Sequence, residues 1–284
     1  PNKQGFDEWF GYLNQRRAHS FFPTFIWLNE GRFDLPGNSN GKKQQYTHDL
    51  FTGFALSFIR KNKDKPFFLY LPYTVPHSRF EIPDLGPYDK KEWPEKPKVY
   101  AAMITRMDSH IGYIMKLLKE LKIDEKTIVF FCSDNGAANR YEGLFDSSGP
   151  LRGRKRDMYE GGLRTPMIVR WPNRVPSNQT NEAVWSFTDF LPTAADMANI
   201  KPPEKLDGMS VLPTLLGQKQ ATNKRFLYWE FFEGGFQQAV RWDKWKFIRR
   251  EKDELLELYN LDDDVGEENN LCLLYTSDAA DEGL

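Results

Sequence analysis

Three short stretches carry residues whose types and spacing could do chemistry. Ser133-Asp134-Asn135-Gly136 sets a carboxylate beside an amide, on a turn that glycine lets bend sharply. Both side chains offer hard oxygen donors, so Asp134 and Asn135 suit Ca²⁺ or Mg²⁺, although two donors do not complete a coordination sphere. The same residues also suit an Asx turn that closes a strand. Pro76-His77-Ser78 presents an imidazole whose charge changes near neutral pH. His77 therefore suits a general acid or base as well as an ordinary loop histidine. Residues 151–166, LRGRKRDMYEGGLRTP, hold five cations in sixteen positions. Held beside strand ends such cations would bind a tetrahedral oxyanion, and they equally suit a solvated loop.

Regular elements must position these stretches, and the hydrophobic pattern supplies them. Residues 48–61 place Phe51, Phe54, Ala55, Phe58 and Ile59 at helical spacing, and a strand-like block, PFFLYLPY, follows at 66–73. Residues 99–121 repeat the helical pattern with Met103, Met107, Ile111, Ile114, Met115 and Leu118 on one face. The run TIVFFC at 127–132 has the unbroken apolar character of a strand buried on both faces of a parallel sheet, and MIVRW at 167–171 is a third strand. This alternation predicts an α/β fold with a mostly parallel central sheet and flanking helices. His77 follows the first strand, Asp134 the second, and the cationic stretch leads into the third. In open α/β sheets, ligands bind outside the carboxyl ends of strands. Past Asp207, short strand candidates at 226–232, 237–241, 244–249 and 255–261, with a Gly234-Gly235 turn, predict a small antiparallel sheet. The polar stretch 215–224 divides a domain at 1–218 from a small α+β subdomain at 219–271. Residues 272–284, CLLYTSDAADEGL, add no pattern and are read as a non-native tail. On this reading Cys132 is a buried strand residue and Cys272 belongs to the tail.

Composition narrows the function classes. A chain of 284 residues, 40% apolar and 15% aromatic, can bury a sizeable core. A net charge of −1 argues against nucleic-acid coating, which needs a cationic surplus. No apolar run approaches the roughly 20 residues that span a bilayer. Two cysteines are too few for a disulfide framework or a thiolate zinc site. The sequence opens on Pro1 and a Gly-bounded aromatic cluster, PNKQGFDEWFGY, with no leader pattern, and is read as continuing from a segment that precedes it.

The blocks together resemble the formylglycine-dependent sulfatases of the alkaline-phosphatase superfamily, close to the arylsulfatase A branch. The resemblance rests on GFDEWFGY at 5–12, YTVPH at 73–77, TIVFFCSDNG at 127–136 and LRGRKRDMYEGGLRTP at 151–166. Arg106-Met107-Asp108, TDFLPT at 188–193, LDGMS at 206–210, LYNL at 258–261 and residues 267–271 support it. It implies that Asp134 and Asn135 ligate Ca²⁺, with Mg²⁺ less suited. It also implies that His77 binds the sulfate and protonates the leaving oxygen, and that Lys155 contacts the sulfate. The family nucleophile is a formylglycine made from Cys or Ser in a C/S-x-P-S/A-R block by a maturation enzyme. That block, an acidic pair of the metal site and a G-K-W-H-x-G block are absent here, so the resemblance implies an N-terminally truncated sulfatase, inactive alone, with no nucleophile in this chain. The implied substrate is a sulfated glycan or aryl sulfate, with Arg17 and His19 of the NQRRAH stretch as candidate saccharide contacts. The implied compartment is periplasmic or secreted, or lysosomal in a eukaryote. Two alternatives stay open. A superfamily phosphodiesterase or phosphonate hydrolase would use more Asp and His ligands than a chain with four histidines offers. A non-catalytic sulfoglycan-binding homologue would keep His77 and Lys155 without the nucleophile.

Overall fold

The structure is a computed structural model that describes residues 1–138, 141, 143–220 and 225–272. Apart from Cys272, the expected tail lies outside the described residues, as do four positions of the expected boundary at 215–224. The chain divides into two compact units, Pro1–Thr127 and Ile128–Leu284.

In the first unit, β1 (Phe10–Gly11), β2 (Phe25–Leu28) and β3 (Gly31–Asp34) form an antiparallel sheet, with a short helix α1 (Gln15–Ala18) between β1 and β2. The two predicted helices are present as α2 (Thr47–Asn62) and α3 (Glu95–Glu120). They pack together, and Arg106 of α3 grips Asp49 of α2 through two hydrogen bonds of 2.7 and 2.6 Å. Paired nitrogens on a carboxylate fix orientation as well as distance. Phe21, Tyr46, Val75, Val99 and Met103 form the core, and Met103 is fully buried as its place on the apolar face requires. Residues 66–73 carry no ladder. Their exposure alternates: Phe67, Leu69 and Leu71 are half-buried, while Phe68 and Tyr70 are about two-thirds exposed.

In the second unit, β4 (Val129–Cys132) leads through the site loops and α4 (Glu160–Leu163) to β5 (Met167–Arg170). Helices α5 (Phe190–Met197) and α6 (Leu212–Leu215) follow. The predicted C-terminal sheet is a four-stranded antiparallel meander of β6 (Phe226–Phe231), β7 (Gln237–Trp242), β8 (Trp245–Arg249) and β9 (Glu257–Asn260). Gly234 and Gly235, both at positive φ, make its first turn. The α/β class holds, but every ladder among the described residues is antiparallel, β4–β5 included. An apolar run reports burial, not strand direction. Val129, Phe130 and Phe131 are only half-buried, and Cys132 is exposed rather than a buried strand residue. Its thiol lies at the open end of the strand, where partial burial and the charge of Asp134 push its pKa up.

Two of the supporting motifs are structural. Asp189 of TDFLPT is fully buried and accepts from Arg225, from the backbone N–H of Ser186 at 2.8 Å and from that of Met209, in LDGMS, at 2.9 Å. A Cβ on Gly208 would strike the Thr188 carbonyl, so the two motifs need each other's backbone.

Candidate functional site

The Ser-Asp-Asn-Gly turn begins where β4 ends, and backbone contacts stitch it to the cationic stretch. The Gly136 N–H donates to the Gly162 carbonyl at 2.9 Å, and the Lys155 N–H donates to the Ala137 carbonyl at 2.8 Å. Only glycine allows this approach. A methyl group at Gly136 would land on the Gly161 carbonyl, and one at Gly161 or Gly162 on the carbonyls of Arg152, Gly153, Arg154 and Asp157. The Y-E-G-G motif is thus a place where three backbone segments touch, and it brings the turn carrying Asp134 and Asn135 to the loop carrying Lys155.

Within the turn, the Asp134 carboxylate is exposed and accepts from the Asn135 amide at 2.5 Å and from the Ser133 hydroxyl at 3.5 Å. Its free lone pairs and the Asn135 amide oxygen are hard donors that fit a divalent cation as two of its ligands. Among the described residues no group of three His, Cys, Asp or Glu side chains is placed to hold a metal.

The cations of 151–166 divide by environment. Arg152 donates to the Glu267 carbonyl at 2.6 Å and lies 4.1 Å over the Tyr159 ring. Arg156 forms a two-point pair with Glu233 at 2.9 and 2.7 Å. Lys155, half-buried between exposed Arg154 and Arg156, is held through its backbone.

The sequence reading missed what anchors this loop. Glu160, buried at the start of α4, meets Lys246 of β8 at 2.9 Å, Arg164 at 3.1 Å and Arg241 of β7 at 3.3 Å. Lys246, with no exposed side-chain area, also meets the fully buried Glu267 at 2.8 Å, and Glu267 accepts the Glu160 N–H at 2.6 Å. Burial pushes the Glu160 pKa up, but the three cations outweigh it and hold the carboxyl below its ordinary range. For Glu267, burial prevails over Lys246 and raises the pKa. Strand alternation in WKFIR sets Lys246 on the same face as the buried Ile248, a signal that was there to read. Glu267 opens the supporting block at 267–271, but nothing in that block marks it as a buried anchor.

His77 belongs to the first unit. Its N–H closes a turn on the Thr74 carbonyl at 2.9 Å, and its Nδ1 lies 2.7 Å from the Ser78 carbonyl oxygen. The His19 ring stacks on it, centroids 4.6 Å apart and planes 7° apart. Arg17, the other candidate saccharide contact, is spent locally, with its guanidinium 3.6 Å over the Phe25 ring. A separate cleft of about 420 Å³ sets Glu81, Asp84 and Glu95 against Lys43, between Phe22 and Phe80. Its negative balance repels a sulfate rather than gathering one.

Residues 1–200 match the family described as Sulfatase, and residues 153–281 match N-sulphoglucosamine sulphohydrolase, C-terminal. The chain is 33% identical over 245 residues to N-acetylgalactosamine-6-sulfatase of Canis lupus familiaris, covering 81% of this chain and 45% of that protein. It is 30% identical over 266 residues to the uncharacterized sulfatase YdeN of Escherichia coli, covering 89% and 45%. Among solved structures it is similar to Ps i-CgsB in complex with k-i-k-neocarrahexaose, at 27% identity and a TM-score of 0.83, over 97% of this chain and 64% of that one. The chain therefore spans less than half the length of these curated relatives. With the strand-end turn, the Y-E-G-G contact and a match across residues 1–200, the chain belongs to the sulfatase family.

Proposed function

We propose that the full-length protein hydrolyses sulfate esters, with His77, Asp134, Asn135 and Lys155 of this chain in the reaction site. The observation that carries this reading is the backbone stitching of the Asp134-Asn135 turn to the Lys155 loop. It brings the backbone of the half-buried Lys155 to the turn that carries two oxygen donors at the end of β4. Lys155 would counter the charge of the sulfate oxygens as the sulfur–oxygen bond breaks. His77 would give a proton from Nε2 to the departing oxygen, sparing the reaction a bare alkoxide. Asp134 and Asn135 are the residues that would hold Ca²⁺. When bound, such a cation neutralises sulfate charge and polarises the ester. Ca²⁺ suits them better than Mg²⁺ because their turn need not impose octahedral geometry.

A sulfated glycan is the favoured substrate class. N-acetylgalactosamine-6-sulfatase and Ps i-CgsB, the latter in complex with k-i-k-neocarrahexaose, support this reading over a simple aryl sulfate. The formylglycine nucleophile and its maturation enzyme belong to the proposal for the full-length protein, as does export to an extracytoplasmic or lysosomal compartment. Among the described residues no helix is long and apolar enough to cross a membrane.

The test is release of inorganic sulfate by the full-length protein from 4-nitrophenyl sulfate and from sulfated galactose or galactosamine oligosaccharides, with and without a chelator. Turnover that is lost on chelation and restored by Ca²⁺ is expected. Hydrolysis of 4-nitrophenyl phosphate or a phosphonate ester in preference to the sulfates would overturn the proposal in favour of a phosphodiesterase. Sulfoglycan binding without turnover would favour a non-catalytic homologue.

A further inference from the structure

We propose that His19 is a positioning residue for His77, its ring serving as the platform that holds the His77 imidazole in one tautomer and one orientation. This rests on the reading of His77 as the proton donor. The two rings lie nearly parallel at 4.6 Å, so His19 covers one face of His77. The edge is fixed separately. A carbonyl oxygen only accepts, so the 2.7 Å contact between Nδ1 and the Ser78 carbonyl requires the proton on Nδ1. Nε2 is then the nitrogen left to meet a ligand, and it holds the proton to be donated when the ring is the imidazolium. A ring held by one edge alone can swing about that hydrogen bond. A ring held by an edge and a face cannot, and proton transfer depends on that orientation.

The platform itself is rigid. The His19 carbonyl accepts the Arg79 N–H at 3.2 Å, which joins the two histidine segments directly. Next along the chain, the Ser20 carbonyl accepts the Tyr12 hydroxyl at 3.3 Å. Phe21 is fully buried, and its N–H donates to the Glu81 carboxylate at 3.1 Å while its carbonyl accepts the Thr47 hydroxyl at 3.2 Å. These ties run to β1's flank, to α2 and to the segment after His77, so His19 cannot drift from its partner without breaking a buried contact. His19 thus acts on the reaction through His77, a role distinct from contacting a saccharide.

The chain has four histidines, so ¹⁵N-histidine labelling resolves each ring by NMR, with His48 and His110 reporting that a variant is folded. When neutral, the His77 ring of the wild-type chain is expected as the Nδ1–H tautomer, and as the imidazolium when it carries the proton to be donated. His19→Ala is expected to give a tautomer mixture, and His19→Phe, which keeps the stack without a titrating group, to restore the single form. In the full-length enzyme, His19→Ala should lower kcat about 10-fold on an alkyl or sugar sulfate with KM unchanged. The loss on 4-nitrophenyl sulfate should be smaller, because its phenolate departs without a proton. A His19→Ala protein whose His77 tautomer and alkyl-to-aryl rate ratio match the wild type would overturn the proposal, as would a His19→Phe protein no better than His19→Ala. The control is His77→Ala. If it leaves the alkyl-to-aryl ratio unchanged, the acid assignment fails and takes this proposal with it. If it collapses the ratio while His19→Ala does not, only the role of His19 fails.

Discussion

In the second unit Glu160, Lys246 and Glu267 are buried as a charged cluster, whereas in the first unit His48 and His110 are buried as a neutral pair. In the cluster, each charge finds an opposite one within 3 Å. His48 finds none: both its nitrogens are buried without a hydrogen-bond partner, and its ring stacks on His110 at 4.8 Å. Burial and the neighbouring His110 push the His48 pKa down to about 3, and burial also lowers that of His110. His110 keeps one bond, Nδ1 to the Thr52 hydroxyl at 2.9 Å. Burying a titratable group costs free energy either way, and the chain meets that cost by pairing in one region and by neutrality in the other. The paired region lies directly behind the Y-E-G-G loop, where fixed geometry matters for the site. The neutral region only fills the interface of α2 with its neighbours.

The comparison predicts effects of unequal size. Lys246→Met leaves Glu160 and Glu267 facing each other without their shared cation, and should cost about 3–5 kcal/mol in urea unfolding at neutral pH, the range for stranding a buried charge. A cost below about 1 kcal/mol would mean the cluster is not held as charges. Gly136→Ala forces a methyl into the Gly161 carbonyl and should cost roughly 1–3 kcal/mol, with the larger share of the damage confined to the site loops.

The histidine pair should act through pH. Because the folded pKa of His48 is below its unfolded value of 6.5, its neutral form is the one the fold prefers. Its contribution is complete above pH 6.5 and is lost as pH falls toward 3, amounting to on the order of 2 kcal/mol by pH 5. His48→Phe should flatten the acid limb of a stability–pH curve while leaving the neutral plateau nearly unchanged. An equally steep limb in this variant would shift the acid sensitivity elsewhere. The smallest effect belongs to Arg156→Ala, because its pair with Glu233 is solvent-exposed and should not register in thermal unfolding.

Most of the elements were legible in the sequence because their patterns were long and periodic. Helix α3 carries Met103, Met107, Ile111 and Leu118 on one face over 26 residues, and β6 to β9 alternate between turns as written. Strand direction was not legible, since TIVFFC reads the same beside a parallel or an antiparallel neighbour. The three-stranded sheet of β1 to β3 escaped notice because Phe10–Gly11 and Gly31–Asp34 are too short, or too polar, to show a period of two. Asp134 and Asn135 were legible as residue types at a strand end, Lys155 stood out from the neighbouring arginines only through the family resemblance, and Gly136, Gly161 and Gly162 were visible only as turn residues. Their true role, close backbone contact across 25 positions, depends on the fold. The same holds for the His19–His77 stack, which joins residues 58 apart through contacts no local pattern encodes.

The central claim is that Lys155, and not the cationic stretch as a whole, handles the sulfate. The most direct measurement compares Lys155→Ala with Arg154→Ala in the full-length protein, side by side, for sulfate release from the same sulfate ester. Lys155→Ala is expected to lose about 100-fold or more in kcat/KM, the scale seen when a charge that stabilises a transition state is removed, with Arg154→Ala near wild type. Equal losses in the two variants, or none in either, would contradict the account.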